Sequence, residues 1–216
     1  MMVTVAAVVA AALPALSEPT KGYYTMDAMG CMLLQECTND VKRVNSIQDI
    51  ENHYPDTNFN GISSEFNSIF RSLNAIGVKV FLADEKYFPP MHRGVYHTVG
   101  NNFFLNTRYI GKPHVLMAVM RHEGWHAAQD CMAGTIDNTY LAIIKNEEDV
   151  PGYWREIVED TYPEHAVPWE AEAFWAGHTA DMTADALEVC ATGTMWEVYQ
   201  PTPMTREWLV KQGYIK

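Results

Sequence analysis

The chain has 216 residues, 48% of them hydrophobic and 19% charged. That length and balance suit one globular domain with its own core and argue against a disordered or fibrous chain. The net charge is −12, from 27 acids against 15 bases, and no Lys/Arg cluster interrupts it. Nucleic acid and anionic membrane surfaces are therefore not expected partners, because phosphate contacts need cationic side chains.

Residues 1–13 are an uncharged, Ala/Val-rich run that Pro14 breaks. Ala15 and Ser17 then put small residues where a signal peptidase reads. The expected organisation is a signal peptide at 1–17, then a single domain at 18–216 that is secreted or periplasmic. The run is short for a membrane span. No Lys or Arg precedes it, so a buried N-terminal helix or an uncleaved anchor is the alternative. Cys31, Cys37, Cys131 and Cys190 make an even set, which fits two disulfides in an oxidising compartment. Of the possible pairings, Cys31–Cys37 with Cys131–Cys190 is favoured; four buried thiols is the alternative.

Apolar spacing predicts a helix within 25–36 and a short one at 46–53, before Tyr54-Pro55. Residues 56–61 are turn-rich. Ser63 opens a helix with Phe66, Ile69, Phe70, Leu73 and Ile76 on one face, and Gly77 ends it. Residues 78–82 read as a strand. Segments 94–99 and 103–106 flank Gly100-Asn101-Asn102 as a hairpin. Pro113 starts an apolar helix through about 131. Short helical pieces are expected at 140–145 and 153–160. After Pro168, residues 169–190 read as one long helix, and 205–213 as a last short one. The order predicts a helix-rich α+β fold.

The second of these longer helices carries RHEGWHAAQD. His122 and His126 are four apart, so both face one way, roughly 6 Å apart along the axis. Two imidazoles so placed can hold one Zn²⁺. Glu123 sits one step round the helix, where it can reach a water without occupying the metal. Gly124 is costly in mid-helix, and room for metal and substrate is its expected reason. A catalytic zinc needs a third protein ligand and an open position. His165 and His178 are possible, but Glu170, in the first turn of the 169–190 helix, is best placed. Glu172 lies about 200° round from it, so one face cannot offer both.

His122-Glu123-x-x-His126-x-x-Gln129, followed by Glu170-x-Glu172-Ala173, resembles the gluzincin metallopeptidases, especially compact minigluzincin-type domains. The resemblance spans roughly residues 78–190; Phe174 stands where some of these groups have Asp. It implies a zincin-like fold, with a small antiparallel or mixed sheet packed on the HExxH helix. It also implies one zinc ion held by His122, His126 and Glu170 (Glu172 as alternative), with Ala173 letting the helices approach. Glu123 would be the general base in cleavage of a peptide or protein substrate. An edge strand, 103–106 or 96–99, would bind extended substrate by strand addition.

Asp130, one turn past His126, could stand behind a ligand or end a solvated helix. His178 and Asp181 share the face of Glu170 if the helix is continuous, and either could orient a ligand or steady an oxyanion. Tyr153 and Tyr162 are further candidates for that last role. Two other functions fit the same residues: a secreted non-catalytic domain with structural zinc or no metal, and a zinc amidase acting on a non-protein substrate.

Overall fold

The computed structural model describes residues 25–36, 39–134, 136 and 138–216. The signal peptide expected at 1–17 lies outside the described residues, and so does Cys37, with its pairing to Cys31. In chain order come α1 (Met26–Leu33), β1 (Lys42–Arg43), α2 (Ile47–His53), α3 (Ser63–Ala75), β2 (Lys79–Ala83), β3 (Gly94–His97), β4 (Asn102–Asn106) and α4 (Pro113–Met132). Then follow α5 (Gly152–Glu159), α6 (Val167–Gly177), α7 (Met182–Ala191), α8 (Met195–Val198) and α9 (Pro203–Gln212). The arrangement is α+β and rich in helix. Among the described residues no helix is long and apolar enough to cross a membrane.

The sheet is mixed, with strand order β1-β2-β4-β3. The hairpin forms as β3 against β4, but β4 also pairs in parallel with β2. Segment 103–106 is therefore an interior strand, and of the hairpin's two strands it is β3 that forms a sheet edge. Burial on both faces explains the unbroken apolar runs of β2 and β4. Val80, Leu82, Phe103 and Leu105 enter the main core, while Phe81, Ala83 and Phe104 pack with Ala28 and Met32 of α1. On α3, Phe66, Ile69, Phe70 and Leu73 form the buried stripe that their spacing predicts.

Helix α4 is the axis of the molecule. It packs against α3, α6, α7 and β3, and from Gly124 to Met132 every residue is buried. Gly124 does not make room for a metal. A Cβ there would lie 2.9 Å from Thr183 Cγ2 and 3.4 Å from Leu187 Cδ1, so the glycine lets α7 lie close against α4. Thr183 uses that closeness to donate its hydroxyl to the Arg121 carbonyl at 2.8 Å. At the far end, the Trp196 and Trp208 indole N–H groups donate to the carbonyls of Met132 and Ala133. These are among the carbonyls that a helix C-terminus leaves without an internal partner. The Cys131–Cys190 disulfide ties the ends of α4 and α7 together, with Cα atoms 6.2 Å apart.

Two expected helices differ. The 169–190 segment is not continuous: it is α6 and α7, broken at residues 178–181. Asp181 adopts a left-handed conformation (φ 65°), which Asp tolerates better than most residues. Its N–H donates to Glu65 Oε1 on α3 at 3.0 Å, and His178 Nδ1 caps α6 by bonding the Phe174 carbonyl at 2.8 Å. Residues 140–145 are irregular instead of helical. Their backbone N–H groups go elsewhere: Ala142 to the Gln129 carbonyl, and Ile144 and Lys145 to the Glu172 carboxylate.

Candidate metal centre

Helices α4 and α6 cross so that His122, His126 and Glu170 meet. Each offers a ligand atom, and these atoms all lie within 4.8 Å of one another, a grouping that could hold a metal ion. His122 Nε2 is 3.3 Å from Glu170 Oε2, and His126 Nε2 is 3.6 Å from Glu170 Oε1. The imidazole centroids are 5.0 Å apart, as their four-residue spacing on one helix face requires. Phe174, one turn beyond Glu170, sets its ring edge-on to His122 at 4.9 Å.

The tautomer of His126 follows from its neighbours. Gln129 Nε2 donates to Glu172 Oε2 at 2.8 Å and to the Trp169 carbonyl at 3.1 Å. That orientation turns Gln129 Oε1 towards His126 Nδ1, 2.8 Å away. The oxygen can only accept, so Nδ1 carries a proton and Nε2 is the atom left to bind metal.

The electrostatics favour a cation. Burial works against a charge on His126, yet Glu170, with Glu123 nearby, lifts its pKa to about 9. Burial likewise opposes the Glu170 carboxylate, but His122 and His126 hold it well below the usual carboxylate range. Glu170 Oε2 is shut off from solvent and makes no hydrogen bond. A buried carboxylate oxygen without a donor is costly unless a cation meets it, so the residues present fit a metal ion.

Glu172 is placed differently. It does not converge with the histidines; its carboxylate accepts from Trp125 Nε1, Gln129 Nε2, Ile144 N and Lys145 N. Burial pushes its carboxyl up, and these donors pull back. The two glutamates of WEAEA thus point to different surroundings, one towards the histidines and one into a saturated knot.

Glu123 lies beside the cluster and accepts from the Tyr96 backbone N–H through Oε2 at 2.9 Å. The Tyr162 phenol lies within electrostatic reach of Glu170 and Glu123. Burial first, then the charges of Glu170 and Glu123, push its pKa far up, so it stays protonated and a donor. Asp130 is fully buried rather than at a solvated end, and it accepts from the Tyr96 hydroxyl at 2.8 Å. His178 and Asp181 are exposed and stand outside the metal grouping, because the helix break removes the shared face. His178 stacks on Trp154 at 4.5 Å. His165 and Tyr153 are also exposed.

Sequence reasoning missed two features of this arrangement. Tyr96 engages Glu123 through its backbone, which leaves no side-chain signature. That one of Glu170 and Glu172 points elsewhere follows from their spacing, but the donors that saturate Glu172 come partly from the 144–145 backbone and leave no sequence signature. Gln129 was legible, since three residues after His126 puts it on the same face. No protein-family model, curated protein or solved structure matches the chain.

Proposed function

We propose that the protein is a zinc-dependent hydrolase, a metallopeptidase of the gluzincin type acting on peptide bonds. The observation that carries this reading is the convergence of His122 Nε2, His126 Nε2 and the orphaned Glu170 Oε2, with Glu123 beside them. Two imidazoles and one carboxylate form the donor set of open catalytic zinc sites, whereas calcium and magnesium prefer all-oxygen shells. A bound zinc would supply Lewis acidity: it lowers the pKa of water and polarises a carbonyl.

The chain's own residues do the rest. Gln129 keeps His126 in the tautomer that presents Nε2. Glu123, anchored through Oε2, has Oε1 free to take a proton from water and pass it to the leaving amine. Tyr162, protonated and adjacent to Glu170, is placed to donate to an oxyanion. Phe174 and Tyr162, with ring centroids 6.2 Å apart, set two aromatic rings beside the cluster, Phe174 edge-on to His122. A secreted or periplasmic location suits the Cys131–Cys190 disulfide.

The test is a pair of variants. Glu123→Gln should retain zinc and lose hydrolysis of a mixed peptide pool by about 10²-fold or more, the usual worth of a general base. His122→Ala should purify without stoichiometric zinc by elemental analysis. Undiminished hydrolysis in Glu123→Gln would sink the assignment.

A further inference from the structure

Glu123 is held by a residue outside the HExxH pattern. Tyr96 lies on β3, an edge strand, and grips α4 twice. Its backbone N–H donates to Glu123 Oε2 at 2.9 Å. Its hydroxyl donates to Asp130 Oδ2 at 2.8 Å in a buried bond, with Asn101 Oδ1 a more distant acceptor at 3.3 Å. Glu123 and Asp130 are about two helical turns apart on α4, so one residue of the strand is fixed against the helix at two separated points.

The strand is also pressed onto the helix at this level. A Cβ on Gly94 would lie 2.6 Å from Val119 Cγ1 and 3.1 Å from Glu123 Cγ. Only glycine allows that approach, and it confines the Glu123 side chain from the strand side. A glutamate free to rotate spreads its carboxylate over many positions. With Oε2 tied to an amide that is itself tied down, Oε1 has a defined place.

We propose that Tyr96 is a positioning residue for Glu123: the bond from its hydroxyl to Asp130 fixes the edge strand, and its amide fixes one carboxylate oxygen so that the other faces the reacting water. The kinetic consequence rests on the hydrolase reading above; the clamp itself does not. A tyrosine serving only as core filler would use neither polar contact for this purpose. A strand serving only to bind substrate would affect KM and leave kcat alone. The clamp acts through the base, so its loss lowers kcat.

The experiment uses the full-length chain loaded with zinc chloride. Tyr96→Phe keeps the ring in the core and removes only the hydroxyl. Zinc content should be unchanged, and the residue-96 amide should exchange with deuterium about tenfold faster, as loss of one buried hydrogen bond allows. With a pool of quenched-fluorescent peptides as probe, kcat should fall about tenfold while KM stays within about twofold. Unchanged exchange, or a raised KM with unchanged kcat, overturns the proposal. Glu123→Ala gives an independent arm: it should release the same amide, and parent-like exchange there also overturns the proposal. If the parent hydrolyses none of the peptides, the hydrolase reading falls, and the two exchange measurements alone decide the clamp.

Discussion

Glu170 and Glu172 sit two residues apart on α6 and live in opposite kinds of surroundings. Around Glu172 the donors are sufficient: two side chains of α4 and two backbone amides of the 144–145 segment close on it. Around Glu170 they are not, and Oε2 is buried without a hydrogen bond. The contrast teaches a way to tell a structural carboxylate from a candidate metal ligand. The structural group has its hydrogen bonds complete within the protein. The candidate ligand keeps a lone pair in reserve.

The contrast can be broken by substitution. The largest expected effect on folding is at Glu172. Glu172→Ala strands buried donors from two segments, α4 and residues 144–145, and denaturant unfolding should register a loss of roughly 3–5 kcal/mol. Glu170→Ala should leave unfolding within about 1 kcal/mol of the parent while abolishing stoichiometric zinc, read by elemental analysis. If the two variants exchanged these outcomes, the roles of the glutamates would be reversed. A smaller effect is expected at the link between them. Gln129→Leu removes the oxygen that sets the His126 tautomer and should weaken zinc binding about 10–100-fold in a competitive-chelator titration.

The smallest effect belongs to Glu65, which takes the Asp181 N–H and pairs with Arg121 through two hydrogen bonds. Burial opposes its charge, but Arg121 and the Asp181 amide outweigh that and lower its pKa. A lowered folded-state pKa means stability that is present above the ordinary value of 4.5 and lost as pH falls through the folded value. Thermal melts should show Glu65→Gln less stable by on the order of 1 kcal/mol near neutrality. The gap to the parent should close in acid. A gap that held constant with pH would mean that the pair contributes shape and no charge.

Much of this was legible in the sequence because it is local. Four-residue spacing is enough to align His122 with His126, and i, i+3, i+4 spacing is enough to give α3 its buried stripe. What was not legible depends on partners that arrive from elsewhere in the chain. The α6–α7 break is stabilised by Glu65, more than a hundred residues upstream of Asp181, although the local pattern reads as continuous helix. The 140–145 segment has helical composition, but Glu172 and the Gln129 carbonyl take its amides. Gly124 lies inside the motif, yet its reason is Thr183 on a neighbouring helix. Periodicity reports which side of an element is buried; it does not name what covers that side.

The two indoles at the end of α4 carry a consequence for the order of assembly. Trp196 and Trp208 stand 64 and 75 residues downstream of the carbonyls they complete, and Cys190 follows Cys131 by 59. During synthesis, the helix with both histidines emerges long before the groups that finish its far end. Glu170 also emerges late, so the three ligand groups cannot meet while α4 is the newest part of the chain. The candidate metal grouping therefore cannot assemble until α6 has been made, and a ribosome-bound chain stopped short of residue 196 would carry all three of its residues with α4 still unfinished at its C-terminal end.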